Sequence, residues 1–102
     1  MIARMWKGSA LPERADEYEK HLETSVLPEL RQIDGFQGVQ LLRQDSTETV
    51  EFIVLTFWES MDAIRKFAGE DAEVAVVAPA AQPLFREYDS RVKHLQVVLN
   101  TR

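Results

Sequence analysis

Thr49–Ser60 reads Thr-Val-Glu-Phe-Ile-Val-Leu-Thr-Phe-Trp-Glu-Ser. It is rich in β-branched and aromatic residues and holds neither Gly nor Pro, a composition that favours a strand over a helix. Its alternation is unusual. Phe52, Val54 and Trp58 share one face, and Ile53, Leu55 and Phe57 share the other. A strand with one wet face shows polar residues there, so this pattern predicts a strand covered on both sides.

The remainder of the chain must supply those covers. Its 102 residues suit one domain spanning 1–102. Apolar residues make up 45% and charged residues 28%, an ordinary globular balance. The net charge of −5 and the absence of a clustered Lys/Arg patch argue against nucleic-acid binding. No apolar run is long enough to span a bilayer, and no signal-peptide pattern opens the chain, so no membrane partner is expected. Cysteine is absent. That removes disulfides, thiolate nucleophiles and cysteine metal sites, and fits a cytoplasmic location.

Outward from the central stretch, Phe36–Gln44 reads as a strand with Gly38 marking a bulge or a close backbone approach. The polar turn Asp45-Ser46-Thr47-Glu48 joins it to Thr49–Ser60 as an antiparallel hairpin, which sets Leu42 opposite Glu51 and Val39 opposite Val54. Met1–Lys7 reads as an opening strand ended by Gly8 and Ser9. Pro12 starts a helix whose stripe is Ala15, Tyr18, Leu22, Val26, Leu30 and Ile33. Pro28 should kink or break it near Thr24–Leu27, and Asp34-Gly35 ends it. Ser60 is a good N-cap for a second helix carrying Met61, Ile64 and Phe67, stopped at Gly69. Asp71–Val77 allows a further helical turn or two, Pro79 and Pro83 make Ala78–Leu84 irregular or a short helix, and Tyr88–Leu99 reads as a last strand.

The order is β-α-β-β-α-β, the ferredoxin-like α+β arrangement with a four-stranded antiparallel sheet. Both helices cover one face of the sheet. The other face is apolar along Thr49–Ser60, and a second copy packed sheet-to-sheet would cover it, giving an isologous homodimer.

Five segments carry a family resemblance: the opening Met-Ile-Ala-Arg-Met-Trp-Lys-Gly, Val-Leu-Pro-Glu-Leu followed by Asp-Gly-Phe-Gln-Gly, Glu-Phe-Ile-Val-Leu-Thr-Phe-Trp-Glu-Ser, Phe-Ala-Gly-Glu-Asp, and Val-Val-Ala-Pro. Together they resemble the antibiotic biosynthesis monooxygenase family over nearly the whole chain. The resemblance implies a dimeric α+β barrel with a ligand cavity between sheet and helices. It also implies activities ranging from cofactor-free oxidation of phenols and quinols to heme degradation. The heme-degrading branch uses an Asn on the first strand and a Trp and a His in the second helical region. The matching positions here hold Arg4, Phe67 and Val76 or Val77, so that residue set is not reproduced. Nor is the Asn, Trp and Tyr set of the phenol-oxidising branch, since the one Asn is Asn100 and Ala72 stands in the helix-two region.

Among residues able to carry chemistry, His94 lies in a strand between Val92 and Gln96. It reads either as a general base that takes a phenolic proton or as a buried histidine bonded to a neighbour. Arg4 lies between Ile2 and Trp6 on one face. It reads either as the stabiliser of an oxyanion or carboxylate or as the partner of Glu51 or Asp89. Trp6, Phe67, Tyr88 and Trp58 suit a flat aromatic ligand and equally suit a core. Glu51 is expected at the solvent edge and His21 solvated on the polar side of the first helix. Neither His has metal-ligand neighbours, so no metal is expected. The expected function is a cofactor-independent monooxygenase acting on an aromatic or quinol-type molecule. The alternatives are a non-catalytic binder of a small hydrophobic ligand and, behind it, a heme-binding enzyme.

Overall fold

A computed structural model describes residues 1–101. Strand β1 (Ile2–Ala10) is followed by helix α1 (Ala15–His21), a π-helical turn (Leu22–Val26) and the short helix α2 (Leu27–Leu30). Strands β2 (Phe36–Asp45) and β3 (Val50–Trp58) lead to helix α3 (Met61–Ala68), and β4 (Phe85–Tyr88) and β5 (Lys93–Gln96) close the chain. The sheet is antiparallel in the order β2-β3-β1, with β4 and β5 both on the outer side of β1. The architecture is α+β and ferredoxin-like, with five strands where four were expected.

The alternation of β3 settles which face is which. Val50, Phe52, Val54, Thr56 and Trp58 are buried under the helices, while Ile53, Leu55 and Phe57 are only half-buried on the open face. On β1 the buried face carries Ile2, Arg4, Trp6 and Ala10, each level with one of those β3 residues. The buried residues form two clusters. One gathers Trp6, Tyr18, Phe52, Leu84 and Phe85; the other gathers Ile2, Leu30, Trp58, Ile64 and Ala72. Full burial of a side chain of this size stabilises by roughly 1.5–3 kcal/mol, so both clusters matter to a chain this short.

Four local expectations are corrected. First, β1 does not stop at Gly8. It runs on to Ala10 because the small residues admit β4 at close range, where a Cβ on Gly8 would lie 2.8 Å from the Phe85 ring. Second, the β2–β3 register places Leu42 opposite Ile53 and Val39 opposite Thr56, two residues from the expected pairing. The turn begins at Ser46, whose backbone N–H and hydroxyl both reach Thr49 O. A two-residue slip keeps every side chain on its face. Third, the last strand is interrupted. Residues 89–92 turn from β1 to the segment between α3 and β4, with Ala75 N–H donating to Ser90 O and Val92 N–H to Glu73 O. Arg91 also pairs with Asp71 at 3.0 Å. That segment, a strap over residues 70–81, is therefore held by the sheet and forms no helix over Asp71–Val77. Fourth, regular strand structure ends at Gln96, short of Leu99.

Other expectations hold. Pro28 does disturb the first helix, and the disturbance is the π turn immediately before α2. Gly38 lies at a register shift in β2. Ser60 caps α3, its hydroxyl accepting from Ala63 N–H at 3.2 Å. Gly35 takes φ +97°, a conformation that disfavours side chains, where the chain turns into β2.

Candidate functional site

The two core clusters do not meet completely. Between them, beneath the helices, lies a cavity of about 70 Å³. Trp6, Tyr18 and Val54 wall it from one cluster, Leu30 and Phe67 from the other, and Val76, Val77 and Ala78 of the strap roof it. Its polar groups are few: Arg4, Thr56, Tyr18 and His21.

Arg4 projects from the middle of β1 and is 4% exposed. Its Nη1 donates to Ala72 O and Nη2 donates to Val74 O at 2.8 Å, which ties the strap to the sheet. Its guanidinium carbon lies 5.8 Å from the centre of the Phe67 ring, within cation–π range. Nη1 also lies 3.0 Å from His94 Nε2, directly across the β1–β5 pair. A guanidinium only donates, so His94 Nε2 must accept, and the imidazole is neutral with its proton on Nδ1. Burial, and then the Arg4 charge, hold the His94 pKa below its ordinary value, in keeping with that state. Burial lowers Arg4 to about 10, which leaves it a cation at neutral pH.

No carboxylate among the described residues pairs with Arg4. Of the two expected partners, Glu51 instead accepts from the Ser9 hydroxyl at 2.7 and 2.9 Å. Asp89 meets the core through its backbone, accepting from Trp6 Nε1 at 2.9 Å.

His21 is the residue the sequence reading misplaced. It ends α1 one residue before the π turn, lines the cavity, and carries a buried Nε2 with no hydrogen-bond partner. Its ring centroid lies 6.2 Å from that of Tyr18. Desolvation pushes the Tyr18 phenol well above its ordinary pKa, so at neutral pH Tyr18 is a proton donor. Thr56 accepts from Trp58 Nε1 at 2.8 Å, which leaves its own hydroxyl proton free to turn elsewhere. The signal for His21 was present in the sequence. It stands three residues after Tyr18 and directly before Leu22, at the margin of the apolar stripe.

The other expected site residues divide. Arg4, Trp6 and Phe67 line the cavity. His94 lies behind Arg4 and Tyr88 packs beside Trp6 at 6.0 Å between ring centroids; neither lines it. Trp58 is fully buried in the second cluster, stacked with Phe67 at 5.8 Å, and forms core. Among the described residues no group of His, Asp or Glu could hold a metal ion, and no helix is long and apolar enough to cross a membrane.

The profile of the family described as antibiotic biosynthesis monooxygenase matches residues 1–79, and the chain belongs to that family. No curated protein matches the chain. Among solved structures, one of a MhuD variant with two manganese protoporphyrin IX molecules bound per active site is 26% identical. It superposes with a TM-score of 0.71 over 100% of this chain and 99% of the other. The heme-degrader MhuD from Mycobacterium tuberculosis, with two hemes in its active site, is 24% identical with a TM-score of 0.67, both chains covered completely. A structure of an antibiotic biosynthesis monooxygenase is 18% identical with a TM-score of 0.66 over 97% of this chain and 100% of that one. The last two, at that identity, establish the common fold.

Proposed function

We propose that the chain is a cofactor-independent oxygenase of a small phenol or quinol, with His21 as its base. The observation that carries this reading is the unpartnered, buried His21 Nε2 in a cavity that also holds a buried cation without a carboxylate. A neutral imidazole nitrogen without a partner can take a phenolic proton from a ligand seated against it. Arg4 then stabilises the phenolate, and the Tyr18 and Thr56 hydroxyls are available to donate to it. The electron-rich ring carbon adds dioxygen to give a hydroperoxide, and loss of water leaves a quinone carbonyl. Both oxygen atoms are accounted for, one in product and one in water, so no external reductant is required. His94 acts through Arg4 as a positioning residue.

The test is oxygen uptake and quinone formation by the chelator-treated protein over a panel of hydroquinones and catechols. Background oxidation in buffer is subtracted. His21→Ala should lower the turnover rate by roughly 10²–10⁴-fold while the protein stays folded. A variant as active as the parent removes His21 from the role. Saturable binding with no oxygen uptake anywhere in the panel favours a carrier of a small hydrophobic ligand instead.

Heme fits the present cavity poorly. A site of about 70 Å³ is far below the roughly 300–1,000 Å³ typical of cofactor and ligand pockets. The strap residues Val76 and Val77 offer no ligating atom. Among the described residues His21 is the only imidazole in the lining, and a cavity of this volume would have to widen before a porphyrin could reach it.

We also propose that a second copy of the chain covers the open face of the sheet. That face presents Met5, Ile53, Leu55 and Phe57, none fully buried, flanked by Leu42 and Leu95 at 44% and 46% exposure.

A further inference from the structure

We propose that the molecule taken by the cavity is a single-ring aromatic acid, its carboxylate held by Arg4 and its ring hydroxyl presented to His21. This inference rests on the oxygenase reading above for the role of His21, and it adds the chemical class of the substrate.

Its foundation is the unusual state of Arg4. Buried charges are ordinarily paired, because removing an ion from water is costly unless another charge compensates. Arg14, Arg43, Arg65 and Arg91 each have a carboxylate partner, and all four lie at the surface where pairing matters least. Arg4, by contrast, is buried and is met only by neutral groups: two carbonyl oxygens, one imidazole nitrogen and a phenyl ring. These solvate the cation without cancelling its charge. They also leave its Nε–H, and one N–H of Nη2, without a partner among the described residues. A carboxylate would satisfy both the charge and the vacant donors, since its two oxygens match a guanidinium fork.

Other lining residues narrow the class. Among the described residues, Arg4 is the only Lys or Arg in the cavity wall. A phosphate dianion would therefore stay half neutralised, whereas a carboxylate is matched one to one. Trp6, Val54, Phe67 and Val77 supply apolar and aromatic surface for a ring rather than an aliphatic polar chain. The volume limits that ring. A cavity of about 150 Å³ accommodates benzene, and this one is about 70 Å³. One ring asks for side-chain adjustment at Val76, which is half-exposed, and at Val77. Fused rings would require the strap to separate from Arg4. His21 Nε2, a buried nitrogen with no hydrogen-bond partner, is then available to a ring hydroxyl.

The experiment is calorimetric titration of the intact protein, without oxygen, with the three hydroxybenzoate isomers and their methyl esters. At least one acid should bind about tenfold or more tightly than its own ester. Arg4→Met should erase that preference by weakening the acid and leaving the ester unchanged. If that variant does not fold, the acid-to-ester ratio of the parent decides alone. Equal affinity for acid and ester, or no binding by any isomer, overturns the inference. The outcomes separate from those of the oxygenase reading. An acid that binds but supports no oxygen uptake sinks the oxygenase and leaves the anion site. An ester that binds as tightly and is oxidised as fast does the reverse.

Discussion

Arg4 and His94 face each other across β1 and β5, and their protonation states follow from donor chemistry. Arg4 donates, so His94 must accept and stay neutral. A proton on His94 Nε2 would set two donors against each other beside a fixed cation. The consequence is a pH dependence of stability with a definite sign. The folded-state pKa of His94 is lowered by burial and by Arg4, with Glu73 opposing and Arg65 assisting. Between that lowered value and the ordinary 6.5, the unfolded chain binds more protons than the folded one. Stability therefore falls as pH drops through this window, and the loss stops growing below the folded-state pKa. His94→Gln keeps an acceptor for Arg4 without the titration. Its thermal midpoint should vary less than the parent's from about pH 7.5 to about pH 5; coincident slopes would show that His94 is not strained in this way. That Arg4 and His94 belonged together was not legible in the sequence, because the contact depends on the register of β5 on β1. The alternation of Ile2, Arg4 and Trp6 did place Arg4 on the inner face. His21 was misread for a different reason. It stands at the margin of the stripe, where burial depends on what packs against it, and here it lines the cavity.

Elements that are specified locally were the legible part. The β3 stretch carries its own alternation, and the observed burial reproduces it residue by residue. α3 carries its own start signal in Ser60, whose hydroxyl satisfies one of the amides a helix leaves open. Ser60→Ala should cost about 1 kcal/mol, read as a lower urea midpoint at unchanged slope; an unchanged midpoint would mean that packing of Ile64 alone fixes the helix start. The first helix shows both the reach and the limit of such signals. Pro28 lacks the N–H that would continue the ladder, so a disturbance one turn earlier was predictable. Its form, a widened turn over Leu22–Val26, was not, because widening and kinking relieve the same missing bond. The π turn leaves the expected stripe on the inner face, and Leu22, Val26 and Leu30 all reach the cavity. The break between β4 and β5 was illegible for another reason. Nothing in Ser90-Arg91-Val92 announces that these residues will pair with the strap, a partner fifteen or more residues away in the chain.

At the scale of the molecule, the sheet has two apolar faces and the chain supplies helices for one. Covering the inner face creates the cavity, with its roof tied to Arg4. The outer face keeps Ile53, Leu55 and Phe57 half-buried, with Leu42 and Leu95 more exposed on the strands to either side. A contiguous apolar surface on a sheet is costly in water and marks an interaction site. A second copy is the occupant we propose, because the face is self-complementary in character and most oligomers of one chain close by a two-fold axis. The proposal has a direct consequence. Leu55→Arg places a charge at the centre of the outer face without touching the cavity, to which β1 and β3 contribute Arg4, Trp6, Val54 and Thr56 from the inner face. Sedimentation equilibrium should report a dimer for the parent and a monomer for the variant. Both should keep the same hydroxybenzoate preference if the cavity is built within one chain. A parent that sediments as a monomer would leave the outer face without its proposed cover. A monomeric variant that loses binding would mean that the strap and Arg4 depend on the second sheet for their position, and the site would then belong to the dimer.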